Sequence, residues 1–118
     1  MFDVLVEKRA GYTELVCRGP ASLKSFKELF DEIVKGTYGH GDGKKYLIDL
    51  RQIEGTIPTV DRYELGEYMA EKISDCEISS ISKKETYNKV GENVAVNRGA
   101  KVFSTDDENQ AREWILAH

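Results

Sequence analysis

Histidine is nearly absent from this 118-residue chain, at His40 and His118 only, and cysteine is as scarce, at Cys17 and Cys76. Each shortage removes a class of chemistry. A hydroxyl or thiol nucleophile needs a neighbouring base, and a Ser-His-Asp relay would have to recruit one of the two histidines. A structural metal needs three or four convergent ligands, of which His40 and Asp42 offer two in one glycine-rich loop. Two cysteines far apart in sequence and outside any C-x-x-C pattern make no disulfide framework. Both read as reduced thiols in or near the core. An enzyme, a metal and a cofactor are thus all left without the residues they need, and none is expected.

Positive charge is not in excess either. The 17 Lys and Arg are interspersed among 21 Asp and Glu, leaving a net charge of −4, which opposes nucleic-acid binding because phosphate contacts rely on clustered bases. No apolar run approaches the roughly 18 residues that span a bilayer, so membrane insertion is not expected. MFDVLVEKR lacks the basic-then-apolar order of a secretory signal, and a cytoplasmic location is the default expectation.

What is present is the composition of a soluble globular protein, 40% hydrophobic and 32% charged, enough for one domain over residues 1–118 with its own core. FDVLVEKR and YTELVCR flank an Ala10-Gly11 turn and predict an opening β-hairpin. From Pro20 to Lys35 the period changes: Leu23, Phe26, Phe30 and Ile33 or Val34 recur at helical spacing, with Ser22 as N-cap and Gly36 as stop. KYLIDL (45–50) is the short apolar run of a strand covered on both faces. Pro58 to Ile73 predicts a second helix, with Leu65, Met69 and Ile73 on one face, Tyr63 and Ala70 on an adjoining one, and Gly66 inside it at about 1 kcal/mol relative to Ala. Close packing against another helix is the simplest compensation.

EISSIS (77–82) is a weaker strand whose polarity suits a sheet edge or a polar neighbour. Ser82-Lys83-Lys84-Glu85 matches a capping box, so a third helix is expected from there to about Asn97, closed by Gly99. Lys101 to Ser104 supplies a last strand. Thr105-Asp106-Asp107-Glu108 matches a second capping box, ahead of a helix burying Ala111, Trp114 and Ile115. The order β-β-α-β-α-β-α-β-α, with right-handed crossovers, is an α/β sandwich on a largely parallel sheet.

The glycine loop before KYLIDL does not fit a P-loop, which follows a strand and feeds a helix; this loop does the reverse. The acidic run at 106–108 stabilises a helix start without further purpose. One constellation is left, because the carboxyl edge of a parallel sheet collects ligands at the N-termini of the following helices. Here that edge gathers Asp49, Arg51, Thr56, Thr59, Ser80, Ser82, Lys83 and Thr105, a set able to receive an anion or carry a phosphorylated hydroxyl. The plainer reading is that the hydroxyls cap helices and Arg51 pairs with Glu54.

The order of elements, together with KKYLIDLRQIEGTIPTVDRYELGEYMAEKI and ENVAVNRGAKVFSTDDENQAREWI, resembles the bacterial SpoIIAA-like proteins of the STAS superfamily over nearly the whole chain. The more specific parts are Asp49-Leu50-Arg51, the helix start Asp61-Arg62-Tyr63-Glu64-Leu65-Gly66, the Asn97-Arg98-Gly99 turn and the closing helix from Ala111 to Trp114. The resemblance implies a β-α superhelix of four turns, related to lipid-exchange domains of the Sec14 type, and no catalytic residues. In the anti-sigma factor antagonists of that superfamily a serine at the strand-to-helix turn is phosphorylated and controls docking. This chain departs from the pattern, with Ile57-Pro58-Thr59-Val60 at that turn, so Thr59, or else Thr56, is the equivalent hydroxyl. A phosphate there adds about two negative charges beside helix amides.

Two functions follow as expectations. The first is a non-catalytic regulatory module that binds a protein through the second helix and the loop before it, motivated by Tyr63, Tyr68 and Met69. Its candidate surface comprises Asp49, Arg51, Thr59, Asp61, Arg62, Tyr63, Ser82, Asn97 and Arg98. The second is a carrier with an apolar pocket for a small apolar ligand or lipid between helices and sheet, for which so short a chain leaves little room. A homo-oligomer stays open.

Overall fold

The structure, a computed structural model, describes residues 1–39 and 44–117. His40, Asp42 and His118, weighed above as bases or metal ligands, lie outside the described residues.

β1 (Asp3–Arg9) and β2 (Tyr12–Pro20) form the expected antiparallel hairpin, in register from Asp3 opposite Arg18 to Arg9 opposite Tyr12. β3 (Lys45–Glu54), β4 (Glu77–Ile81) and β5 (Lys101–Thr105) then add in parallel, so the sheet runs in the order β1-β2-β3-β4-β5. Among the described residues, four helices connect or close these strands: α1 (Leu23–Lys35), α2 (Thr59–Lys72), α3 (Val90–Asn97) and α4 (Glu108–Ala117). The chain is an α/β sandwich on a mixed, largely parallel sheet.

Side-chain alternation sorts the strands between two cores. Leu15, Cys17, Tyr46, Ile48, Ile78 and Val102 face the layer of α1, α2 and α3. Tyr12, Leu47 and Ile81 face α4, which buries Ala111 and Ile115 completely and leaves Trp114 half-buried, stacked on Phe103 at 5.7 Å. Both cysteines are buried and free.

Local signals set most boundaries. Ser22 Oγ accepts the Ser25 amide at 3.0 Å to start α1, and Gly36, at φ 81°, ends it in the left-handed region that favours glycine. Gly66 answers the cost of its place in α2: a Cβ there would lie 2.6 Å from Gly91 O and 2.7 Å from Val94 Cβ, so only hydrogen lets α2 and α3 approach this closely.

Four expectations need correction. β3 does not end at Leu50 but runs to Glu54, because its register against β2 shifts between Val16 and Arg18 and pairing resumes at Gln52, opposite Arg18. That bulge turns Ile53 back into the larger core. Of the two readings of β4, the edge strand fails, since it lies between β3 and β5, and the polar neighbour holds, with Ser79 Oγ donating to Ala111 O at 2.9 Å and Ser80 Oγ bonding Ser104 Oγ at 3.0 Å.

The third helix begins at Val90, not near Ser82. Residues 83–86 turn on themselves, with the Thr86 amide on Lys83 O at 3.1 Å, while Lys83 Nζ reaches Ile53 O at 3.3 Å and Tyr87 Oη donates to Ser104 O at 3.2 Å. These tertiary bonds override the capping box. In the last helix the cap moves from Thr105 to Asp107, whose Oδ1 accepts the Gln110 amide at 3.0 Å, since Thr105 is still paired to Ile81 in the sheet.

Candidate functional site

The strand-to-helix turn after β3 carries the residues of interest. Gly55 and Thr56 leave the sheet, Ile57 turns inward and is buried, and Pro58, at φ −58°, precedes α2 with Thr59 as the first helical residue. Proline suits this position because its missing N–H would be unsatisfied there in any case. Thr59 is exposed, and Thr56 Oγ1 accepts a hydrogen bond from Arg62 Nη2.

Arg62 ties the turn together. Its Nε donates to Ile57 O at 3.1 Å and its Nη2 to Thr86 O at 3.3 Å, linking the turn after β3 to the loop after β4. Burial pulls its pKa below the usual arginine range. Beneath this turn lies a cavity of about 100 Å³ between the sheet and α1, α2 and α3. Its apolar walls include Phe30, Ile48, Leu65, Met69 and Ile78, and Arg62, Ser82, Thr86 and Asn88 also line it.

The opposite face of the sheet holds a continuous chain of charges under α4. Asp49, buried, receives the Arg51 amide and Nε at 3.0 Å and Nη2 at 2.8 Å. Arg51 also reaches Glu108 at 2.9 Å, Glu108 meets Arg112 at 3.1 Å, and Arg112 bonds Glu14 at 2.7 Å and Tyr12 Oη at 2.6 Å. Arg9 completes the row on Glu14 at 3.3 Å. Burial pushes the Asp49 pKa up, but the bonds and charge of Arg51 together outweigh it and hold the carboxyl below its usual range. Arg51 therefore pairs with Asp49 and Glu108 rather than with Glu54.

The single edge constellation expected above is accordingly divided by the sheet. Asp49, Arg51 and Thr105 lie on the α4 face, where Thr105 Oγ1 accepts the Asp107 amide at 3.1 Å. Thr56, Arg62, Ser80 and Ser82 gather around the cavity on the other face. Asp61 lies in the first turn of α2, where its charge suits the helix dipole, and Tyr63 is exposed on the next turn. Of the other two residues expected to favour docking, Met69 is core, and Tyr68 donates to Asp31 of α1 beneath Lys27 and Lys72. Asn97 is exposed, and Arg98 pairs with Glu67 at 3.0 Å.

Sequence reading missed Glu14, Glu108 and Arg112 as a unit, and Asn88 and Thr86 as cavity wall. Glu14 had a signal: it stands in phase with Tyr12 and Val16, so its carboxylate had to face a covered side of the sheet and find a base there. Among the described residues no group of three His, Cys, Asp or Glu could hold a metal ion. No described helix is long and apolar enough to cross a membrane.

No protein-family model matches the chain, and no curated protein sequence does. Solved structures similar to it over nearly its whole length include the following two. One is an anti-sigma factor antagonist from Mycobacterium paratuberculosis, with a TM-score of 0.60 and 12% identity over 98% of this chain and 94% of that one. The other is an uncharacterized protein of the DUF3478 family from Shewanella loihica PV-4, described as having a SpoIIAA-like fold, with a TM-score of 0.54 and 13% identity over 97% and 93%. At such identities the likeness is one of architecture, and it agrees with the element order, the parallel sheet and the opening hairpin. The chain has a SpoIIAA-like fold.

Proposed function

We propose that this protein is a non-catalytic regulatory module of the anti-sigma factor antagonist kind, docking on a protein partner through α2 and the turn before it. The observation that carries this reading is the exposure of Val60 (73%) and Tyr63 (48%) on the first turns of α2. An exposed valine three residues from an exposed tyrosine forms an apolar strip of the kind that anchors interfaces. Thr59, exposed beside that strip, is the candidate phosphorylation site, with Thr56 second because its hydroxyl is already bonded to Arg62. A phosphate on Thr59 meets favourable amides at the helix start and places its charge next to Val60, weakening an apolar contact there. Asp61 shares the first turn of α2 with this strip, whereas Arg98 meets the same helix farther along, at Glu67.

Affinity capture from a bacterial lysate with the unaltered protein and with Tyr63→Ala tests the reading. It predicts one protein retained by the first and depleted at least tenfold with the second. Equal recovery from both, or nothing above control, contradicts it.

A second reading, a carrier for a small apolar ligand, draws support from the cavity of about 100 Å³ beneath the same turn. Native mass spectrometry of freshly purified protein checks it, a retained adduct supporting the carrier and a bare mass opposing it.

A further inference from the structure

Arg62 is a partly buried cation that no carboxylate answers among the described residues. Its three hydrogen bonds go to Ile57 O, Thr86 O and Thr56 Oγ1, all neutral, and burial lowers its pKa. Arg9, Arg51, Arg98 and Arg112 each pair with an acid, while Arg18, which has none among the described residues, is exposed. Among the described residues no acceptor engages Nη1 of Arg62, so two donors of its planar fork are unspent. A guanidinium drawn out of water without a counter-charge is unfavourable, and an arriving anion would relieve it.

The same side chain lines the cavity, whose walls are otherwise mostly apolar. An apolar chamber with a cation on its wall is the complement of an amphiphilic anion. At about 100 Å³ it is smaller than the ~150 Å³ apolar cavity that admits six-carbon benzene, so the hydrocarbon part is on the order of four to five carbons. A singly charged head suits the site best: Glu92, also on the wall, pairs with Lys89 at 3.1 Å, and a dianionic phosphate would meet twice the repulsion from a carboxylate there.

We infer that the cavity takes a small monocarboxylate, its hydrocarbon part among Phe30, Ile48, Leu65 and Ile78 and its carboxylate on Arg62. This refines the small-ligand reading above, on which it rests, and is independent of the docking reading.

Titration of isotope-labelled protein with hexanoate, 1-hexanol and inorganic phosphate, followed by amide and Arg62 Nε–H chemical shifts, tests it. Hexanoate should saturate shifts at Ile57, Arg62 and Thr86 and bind at least about tenfold more tightly than hexanol, the worth of one charge-assisted hydrogen bond, with phosphate inert. Arg62→Gln should abolish that preference and Arg62→Lys retain part of it. Hexanol binding as tightly as hexanoate would overturn the role of Arg62 while leaving the cavity reading standing. Phosphate binding as tightly as hexanoate would overturn the amphiphile, and binding of none of the three would end both readings. The three-ligand comparison on the unaltered protein decides the matter even if Arg62→Gln fails to fold.

Discussion

Gly66 of α2 and Val94 of α3 face each other so closely that a methyl group on Gly66 would stand 2.7 Å from Val94 Cβ and 2.6 Å from the Gly91 carbonyl oxygen. Both obstacles are stiff, one a β-branched carbon and the other backbone. Gly66→Ala gains about 1 kcal/mol of helix propensity, yet forcing apart two packed helices costs about 1–3 kcal/mol. The clash wins, and urea unfolding should show Gly66→Ala less stable than the unaltered protein by about 1 kcal/mol. The same substitution leaving stability unchanged or raised would show that α3 does not pack against α2 in this way.

The Asp49–Arg51 pair makes a pH-dependent prediction. The folded-state pKa of Asp49 is held below its unfolded value of about 3.9, so its contribution is present above about pH 4 and is lost as pH falls through the folded value. Arg51→Met removes the two side-chain bonds and leaves a buried carboxylate with the backbone amide alone. Because Arg51 is itself substantially exposed, the loss is modest, about 1–2 kcal/mol near neutrality, and it shrinks below about pH 4. Carboxyl-carbon NMR should also show the Asp49 pKa rising in the variant. An unchanged pKa would mean that Glu108, and not Asp49, is the partner Arg51 serves.

Most of this fold is legible in the sequence because its determinants are local. Ser22 and Gly36 bracket α1 by backbone chemistry that needs no distant partner, and KYLIDL announces a doubly covered strand by composition alone. Where the reading went astray, distant groups decided. Ser82-Lys83-Lys84-Glu85 has the pattern of a helix start, but Lys83 and Tyr87 are drawn to carbonyls of Ile53 and Ser104, and the helix waits until Val90. The grouping of Asp49 and Arg51 with Thr56 and Arg62 overlooked parity: Asp49 and Arg51 are in phase with Leu47, and Ile48 and Leu50 belong to the other side. The lack of a counter-charge at Arg62 has no sequence signature, since it depends on which acids the fold keeps away.

Both thiols should be inert in the native protein. Burial, then the Asp49 charge, pushes Cys17 up to about 12. Burial, then the Asp75 charge and its hydrogen bond, pushes Cys76 up to about 11. Neither sulfur is exposed enough or ionised enough at pH 8 to react as a free thiolate. Labelling with a disulfide reagent should therefore proceed only as fast as the protein opens, with both thiols titrating at once in denaturant. A cysteine reacting at the free-thiol rate in the folded state would contradict this packing.

The central claim is that the face formed by α2 and the turn before it docks a protein. A photocrosslinking amino acid placed at Tyr63, compared with the same group at exposed Glu113 on the far side of the sheet, tests it most directly in the native host. The account predicts a discrete crosslinked protein from position 63, absent from position 113 and lost when Thr59→Glu is added. A crosslinking pattern that is the same from both positions, or that ignores the charge at Thr59, would contradict it.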